Sequence, residues 1–266
     1  VIPYFQLTTI TLGPLTLNVW GLLAAIGFLV ATIVAAARAR VLKMDSQIVW
    51  SVSWQVVIAS MVGSRLFEVL FYEPAYYWAN PGKIFAVWEG GLSSYGGIIG
   101  GALALLWFIR RNKLPLWSTL DIFAYATPLG FVFGRIGCFL IHDHPGTLTS
   151  FIGGVKYPDG VRHDGGLEMA IADGFIFLIM VLVAHRSSLR RSPWRLWQSP
   201  PPGTFVLLFL GLKGLARFIL DFFRATSGPI VEARYGGLSP SQYVGLCSVI
   251  ITVWVVSRHW KPTRSV

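Results

Sequence analysis

The sequence predicts an all-α, polytopic integral membrane protein of about seven transmembrane helices, with a small extracytoplasmic cap between spans four and five. Three observations predict it. Only 13% of the 266 residues are charged and 54% are hydrophobic, whereas a typical soluble domain carries about 25% charge. Apolar runs recur along the chain, and a single run of roughly 18 residues is already a candidate span. The breaker clusters Asn80-Pro81-Gly82 and Pro200-Pro201-Pro202-Gly203 fall between those runs, where turns belong.

The expected spans lie near Leu17–Ala37, Val49–Phe71, Ser94–Phe108, Leu120–Ile141, Leu167–Ala184, Thr204–Phe223 and Tyr243–Val256. Each gives or nearly gives the ~20 helical residues that cross ~30 Å of hydrocarbon. The third is short and glycine-rich, so its start is either helix or a loop dipping into the membrane against protein or water. No repeat, low-complexity tract or composition shift divides the chain, so residues 1–266 are expected to form one transmembrane domain. The longest outer connection, 142–166, is the expected cap. The first residues carry no basic n-region or small-residue cleavage site, so no removable signal peptide is expected. Cys138 and Cys247 both sit in apolar runs, which excludes a disulfide framework or a zinc-ribbon spacing.

Positive charge sets the orientation. The connections and tail on one side hold thirteen Lys and Arg residues, and those on the other hold five. The positive-inside rule then places the N-terminus outside and the C-terminus in the cytoplasm. An odd number of spans agrees. The net charge of +10 is therefore mostly a topology signal and an attraction to anionic membrane lipids, not a nucleic-acid surface.

Several charges fall within or at the edge of the spans: Arg65, Glu68, Asp121, Arg135, Glu168, Asp173, Lys213, Arg217 and Asp221. An ionised group at the bilayer centre costs at least about 2.5–3.5 kcal/mol, so such residues face a bundle interior or a wet cavity. Arg65 and Glu68, three apart, can form a structural pair on one helix face. Arg217 and Asp221, four apart, can do the same. Asp121 and Asp173 read first as structural partners. Arg135 and Arg217 point to an anion site, because a guanidinium stays charged when buried and matches phosphate in bidentate fashion.

Two further segments stand out. In Gly90-Gly91-Leu92-Ser93-Ser94-Tyr95-Gly96-Gly97 the glycines either let backbone approach a ligand or form a small-residue helix interface extended by Gly100 and Gly101. The segment Gly134-Arg135-Ile136-Gly137-Cys138-Phe139 precedes His142-Asp143-His144. With His163-Asp164 these histidines are either a metal cluster or a polar cap that contacts headgroups. His-x-His alone is weak, and no metal or other cofactor is expected.

Taken in order, Trp20-Gly21, Gly63-Ser64-Arg65-Leu66, Gly90–Gly97, Asp121, Gly134–Phe139 and Lys213-Gly214-Leu215-Ala216-Arg217-Phe218 with Asp221-Phe222-Phe223-Arg224 resemble the prolipoprotein diacylglyceryl transferase family over nearly the whole chain. The resemblance implies a transfer in the bacterial cytoplasmic (inner) membrane. The diacylglyceryl group of phosphatidylglycerol passes to the lipobox cysteine thiol of a preprolipoprotein, and glycerol phosphate is released. Its implied partners are phosphatidylglycerol and the signal-peptide lipobox segment. Arg135 and Arg217 match the family's phosphate-binding arginines, and Tyr95 stands where the family commonly has a histidine proposed as base. A phenol with an ordinary pKa near 10 is a poor resting base. Cys138 replaces the family's Asn, Lys213 a tyrosine and Trp20 another tyrosine.

The implied site is therefore Arg135, Arg217 and Tyr95 at the chemistry. Lys213, Ser94, Gly96, Gly97 and Cys138 join the arginines on the phospholipid. Asp143, His142, Glu168 and Asp121 are candidates for acid–base or supporting roles, and one of the loop histidines is a candidate for the missing base. The competing readings are a non-catalytic relative that binds or moves anionic phospholipid or lipoprotein, and a small-anion transporter. The latter favours repeat symmetry, which is not seen.

Overall fold

The structure is a computed structural model that describes residues 1–13, 15–87, 90–189, 200–225 and 234–259, without the side chains of Leu15, Ser94, 186–189 and His259. Ser94, a candidate lipid contact, thus lies outside the described side chains. Arg190, Arg191 and Arg195 of the basic loop and Lys261 and Arg264 of the tail lie outside the described residues.

The protein is mostly helical. α1 (Val19–Val41), α2 (Ser46–Phe67), α5 (Leu116–Ile141), α6 (Gly165–Leu189) and α8 (Pro240–His259) follow five of the expected spans. All five are long and apolar enough to cross a membrane, α2 together with a π turn over Glu68–Tyr72. The third and sixth expected spans are also helices, α4 (Ser94–Arg111) and α7 (Thr204–Leu220), with 18 and 17 residues. A short helix, α3 (Pro74–Ala79), lies between α2 and α4.

The expectation of helices alone missed two small sheets. β2 (Thr9–Leu12) and β3 (Leu15–Asn18) form an antiparallel ribbon before α1. The connection after α5 supplies β4 (Pro145–Leu148), β5 (Val155–Tyr157) and β6 (Gly160–Asp164), and β1 (Ile2–Pro3) adds to them in the order β1-β5-β6-β4. The β5–β6 turn is Pro158-Asp159, closed by Gly160 at φ 139°, a turn composition with few alternatives.

Two compact units emerge: Val1–Val34 with Leu120–Val266, and Ala35–Thr119. In the second, α2 packs on α4 backbone to backbone. A Cβ at Gly96 would lie 2.3 Å from the Gly63 carbonyl oxygen, and one at Gly100 would lie 2.4 Å from the Ala59 oxygen. A Cβ at Gly97 would meet Ser64 Oγ at 2.6 Å. Gly96 and Gly97 are thus helix-packing residues. α2 fills the space that a Cβ would need at either position. Such small-xxx-small contacts hold helices together where lipid removes the hydrophobic incentive.

Arg65 organises the loop ahead of α4. Its side chain is buried, and all five N–H donors are used: Nε to Ile84 O, Nη1 to Gly90 O and Gly91 O, Nη2 to Lys83 O and Ala86 O, at 2.6–3.0 Å. Tyr77 stacks on the guanidinium at 5.0 Å. Gly91, at φ 67°, must be glycine, since a Cβ would sit 2.9 Å from Arg65 Nη1. Arg65 therefore serves its own loop. Arg65→Ala strands five carbonyls and is expected to cost on the order of 3–5 kcal/mol, read as a lower melting temperature of the purified protein. An unchanged melting temperature would contradict this account of the loop.

Candidate active site

The Val1–Val34/Leu120–Val266 unit assembles most of the residues singled out above. Arg135 lies on α5. Trp20 packs against Gly137, where a Cβ would be 3.2 Å from the indole. Cys138 is buried, its thiol between Trp20 and Asp143. The chain leaves α5 through His142 at φ 52° and reaches His144 and β4. β4 then meets the segment that follows α7: Gly146 bridges to Arg224, Thr147 Oγ1 donates to Phe223 O at 3.3 Å, and Ala225 N donates to Pro145 O at 3.4 Å. This docking brings His144 Nδ1 to 3.4 Å from Arg224 Nη2.

The other wall comes from α7 and the start of α8. Ser239-Pro240-Ser241-Gln242 is a capping box with Pro at the first helical position. Gln242 N donates to Ser239 Oγ at 3.1 Å, and Ser239 N donates to Gln242 Oε1 at 2.9 Å. Both serine hydroxyls also donate to Asp221 Oδ2, Ser241 at 2.8 Å and Ser239 more closely still. Asp221 Oδ1 faces Arg217 Nη2 and Arg224 Nη1, each at 3.6 Å. Arg217 Nη2 also donates to Ser241 Oγ at 3.2 Å, and Arg234 Nη2 to the Asp221 carbonyl at 3.3 Å. The Asp221 carboxylate and the helix cap thus hold Arg217 and Arg224, and the Asp221 backbone carbonyl holds Arg234.

His144, Pro145, Asp221, Arg224, Ala225, Arg234 and Ser239 line a cleft. Arg135, Arg224 and Arg217 all act on His144. Burial first, and these three cations after it, push the imidazole down to about 4, so the ring is neutral at ordinary pH. Burial raises the Asp143 carboxyl above the ordinary carboxylate value, and Arg135 opposes only part of that rise. Arg135 and Arg217 are also near enough to the Lys213–Asp173 pair to interact with it, although neither is among the residues that line the cleft. The surrounding cations Arg135, Lys213, Arg217, Arg224 and Arg234 outnumber the carboxylates Asp143, Asp164, Asp173 and Asp221, and that excess suits an anion.

Other expected site residues have defined structural duties. Lys213 Nζ bonds both oxygens of Asp173, at 2.6 and 2.7 Å, and lies over the Phe131 ring, so Asp173 offsets its charge. Asp121 accepts from Gly203 N at 2.7 Å and Val206 N at 2.9 Å; it caps α7, whose own N-cap is a glycine. His142 has Asp164 Oδ2 at 2.7 Å from Nδ1 and Phe5 O at 2.7 Å from Nε2, and Tyr157 also donates to Asp164. It ties the N-terminal segment to the connection. Glu168 is held by His163 Nδ1 at 2.5 Å, and the His163 ring stacks on Phe223. These are supporting roles. Tyr95 stands half-exposed in the first turn of α4, in the Ala35–Thr119 unit.

Cys138, Asp143 and His144 bring one candidate ligand atom each within 4.8 Å of one another. Their chemistry matches a metal set, but the guanidiniums that act on His144 oppose a cation there.

Comparison with protein families matches residues 7–258 to prolipoprotein diacylglyceryl transferase. The chain belongs to that family. It is 33% identical over 228 residues to the phosphatidylglycerol–prolipoprotein diacylglyceryl transferase of Geobacter sulfurreducens, covering 84% of this chain and 83% of the relative. It is 31% identical to the protein of that name from Nitratidesulfovibrio vulgaris, over 96% of this chain and 94% of the relative. The corresponding Nitrobacter winogradskyi protein is 30% identical over 97% and 89%.

The prolipoprotein diacylglyceryl transferase family is thus represented here by a chain whose Ser239, Ser241 and Arg234 were missed in the sequence. The Ser-Pro-Ser-Gln capping box was legible. Its link to Asp221 was not, because eighteen residues separate Ser239 from the carboxylate it holds. His144 is expected to stay neutral until about pH 4, whereas an unfolded histidine takes its proton near 6.5. Its folded value is depressed, so stability present above about pH 6.5 is lost as the pH falls toward 4. Imidazole NMR, assigned by difference from His144→Gln, checks this; a His144 signal that titrates near 6.5 would refute it.

Proposed function

We propose that this chain transfers the diacylglyceryl group of phosphatidylglycerol to the thiol of a lipobox cysteine in a preprolipoprotein, releasing glycerol phosphate. The observation that carries the reading is the arginine excess at the cleft between Asp221 and His144: Arg224 and Arg234 line it, Arg217 pairs with Asp221 behind it, and Arg135 acts on the same His144. In a phosphodiester donor the phosphate carries one negative charge, and the C–O bond to the diacylglyceryl carbon must break as the thiolate attacks. Charge then builds on the departing phosphate. Guanidiniums already fixed in place stabilise that charge without reorganising. Asp221 and the α8 capping box supply the fixing.

We further propose a single membrane domain of seven spans in the bacterial inner membrane, with the N-terminus outside and the C-terminus in the cytoplasm. The thirteen-to-five distribution of basic residues supports it. So do the exposed apolar side chains of α4 (Ile98, Ile99, Leu103, Trp107) and of α7 (Leu215, Ile219), which need lipid or protein cover. The 142–166 connection and its sheet then form an outer cap, and the arginine cleft lies near the outer face. Tyr95 is assigned a headgroup hydrogen bond. Cys138 takes the place beside Arg135 and Asp143 from which it orients the carboxylate. The lipobox segment is the acceptor.

The test is product formation by purified protein with phosphatidylglycerol and a lipobox peptide, read by mass spectrometry. Wild type is expected to give the thioether peptide. Arg135→Ala is expected to lose at least about 10²-fold in rate with an unchanged melting temperature. Absence of thioether from wild type would refute the transferase reading, and full turnover by Arg135→Ala would remove that residue from the site.

A further inference from the structure

The proposed transfer needs the acceptor thiol to lose a proton, because the thiolate is the nucleophile. Most groups in the Val1–Val34/Leu120–Val266 unit that could take it are already engaged. His142 has an acceptor at each ring nitrogen, and His163 is bound to Glu168. Asp173 is held at both oxygens by Lys213. Asp164 accepts from Tyr157, pairs with His142 and caps α6 through Leu167 N. Asp221 accepts two serine hydroxyls and faces two arginines. Asp143 has the Cys138 thiol and Arg135 beside it; its buried Oδ1 has no hydrogen-bond partner among the described residues and lies 3.8 Å from His144 Nδ1, so it faces the ring and not the cleft-lining arginines.

His144 differs. Its Nδ1 lies 2.9 Å from the Asp143 carbonyl oxygen, nearer than Arg224 Nη2 at 3.4 Å. A carbonyl only accepts, so on the shorter contact we assign the proton of the neutral ring to Nδ1. That assignment leaves the lone pair on Nε2, which makes no hydrogen bond among the described residues. The ring also lines the arginine cleft.

We propose that His144 is the general base of the transfer, taking the acceptor thiol proton at Nε2. This rests on the transferase reading above. The S–H bond breaks and its proton goes to Nε2. The sulfur electron pair forms the C–S bond to the diacylglyceryl carbon, and the C–O pair leaves with the phosphate ester. Charge balances: a phosphate monoanion and a neutral imidazole become a dianionic glycerol phosphate and an imidazolium. The imidazolium proton then passes to the dianion, a phosphate monoester with a second pKa near 6.

The same cations gate the base. The groups around the ring are Arg135 and Cys138 from α5, Asp143 beside it, Asp164 on the neighbouring strand, Arg217 from α7, and Asp221, Arg224 and Arg234 across the cleft. Without an anion, burial first and the arginines after it disfavour a proton on His144. A phosphate among them offsets that field and raises the affinity of the ring for a proton. The base is competent when the donor lipid is in place.

The experiment compares wild type with His144→Gln, at full length, with phosphatidylglycerol and lipobox peptide between pH 6 and pH 9. The variant is expected to lose about 10²–10⁴-fold in kcat at neutral pH, with unchanged KM for phosphatidylglycerol and unchanged melting temperature. The gap should narrow toward pH 9, where a free thiol with a pKa near 8.5 ionises without help. Wild-type turnover by His144→Gln, or a deficit that is constant across the pH range, would overturn the assignment. If wild type itself forms no thioether, the transferase reading falls and the base with it. A second readout needs no variant activity: saturating glycerol phosphate should raise the His144 NMR midpoint from about 4, and an unmoved midpoint would overturn the gating.

Discussion

Asp221 is buried, yet it carries a full charge at the junction of α7 and α8, and the arrangement of the cleft follows from how that charge is met. Two serine hydroxyls from the α8 capping box bind one oxygen, and two guanidiniums approach the other. The carboxylate thus locks the start of one helix to the end of another while aiming Arg217 and Arg224 across the space that His144 enters. It offsets only part of their charge. Arg135 adds to the excess from α5. Such an excess suits an anion, and in the proposed transfer a phosphodiester headgroup supplies it.

The remaining charges near the spans are settled locally. Lys213 and Asp173 neutralise each other, Asp121 caps α7, and Arg65 is surrounded by carbonyls. Each solution avoids the penalty of an ionised group facing lipid, and each leaves no charge over for chemistry. That contrast separates residues which hold the fold from the arginines around the cleft. The arginines also add to the burial that keeps His144 neutral, because fixed cations beside a buried ring oppose its protonation.

Much of this was legible in the sequence. Apolar runs marked every long helix, since span length follows directly from bilayer thickness. Arg135 and Arg217 stood out because guanidiniums in apolar surroundings need a reason. The partners were harder. Arg65 and Glu68 have the spacing of an ion pair, but Arg65 bonds a loop nearly twenty residues away, and nothing local encodes that. Gly96 and Gly97 read equally well as ligand approach or helix packing, and only the position of Gly63 and Ser64 on α2 decides for packing. The sheet in the 142–166 connection escaped because its strands are three to five residues long, too short for alternation to show. Ser239 and Ser241 were readable as a helix start, though not as the anchors of Asp221. Those contacts exist only after α7 and α8 have packed.

The proposed transfer requires a phosphate held by Arg135 and Arg217. The most direct measurement is an experimental structure of the protein in phosphatidylglycerol nanodiscs. It should show the lipid phosphate within hydrogen-bonding distance of both guanidiniums, in the cleft that His144 lines. A headgroup bound elsewhere, with the two arginines turned to protein partners, would contradict it.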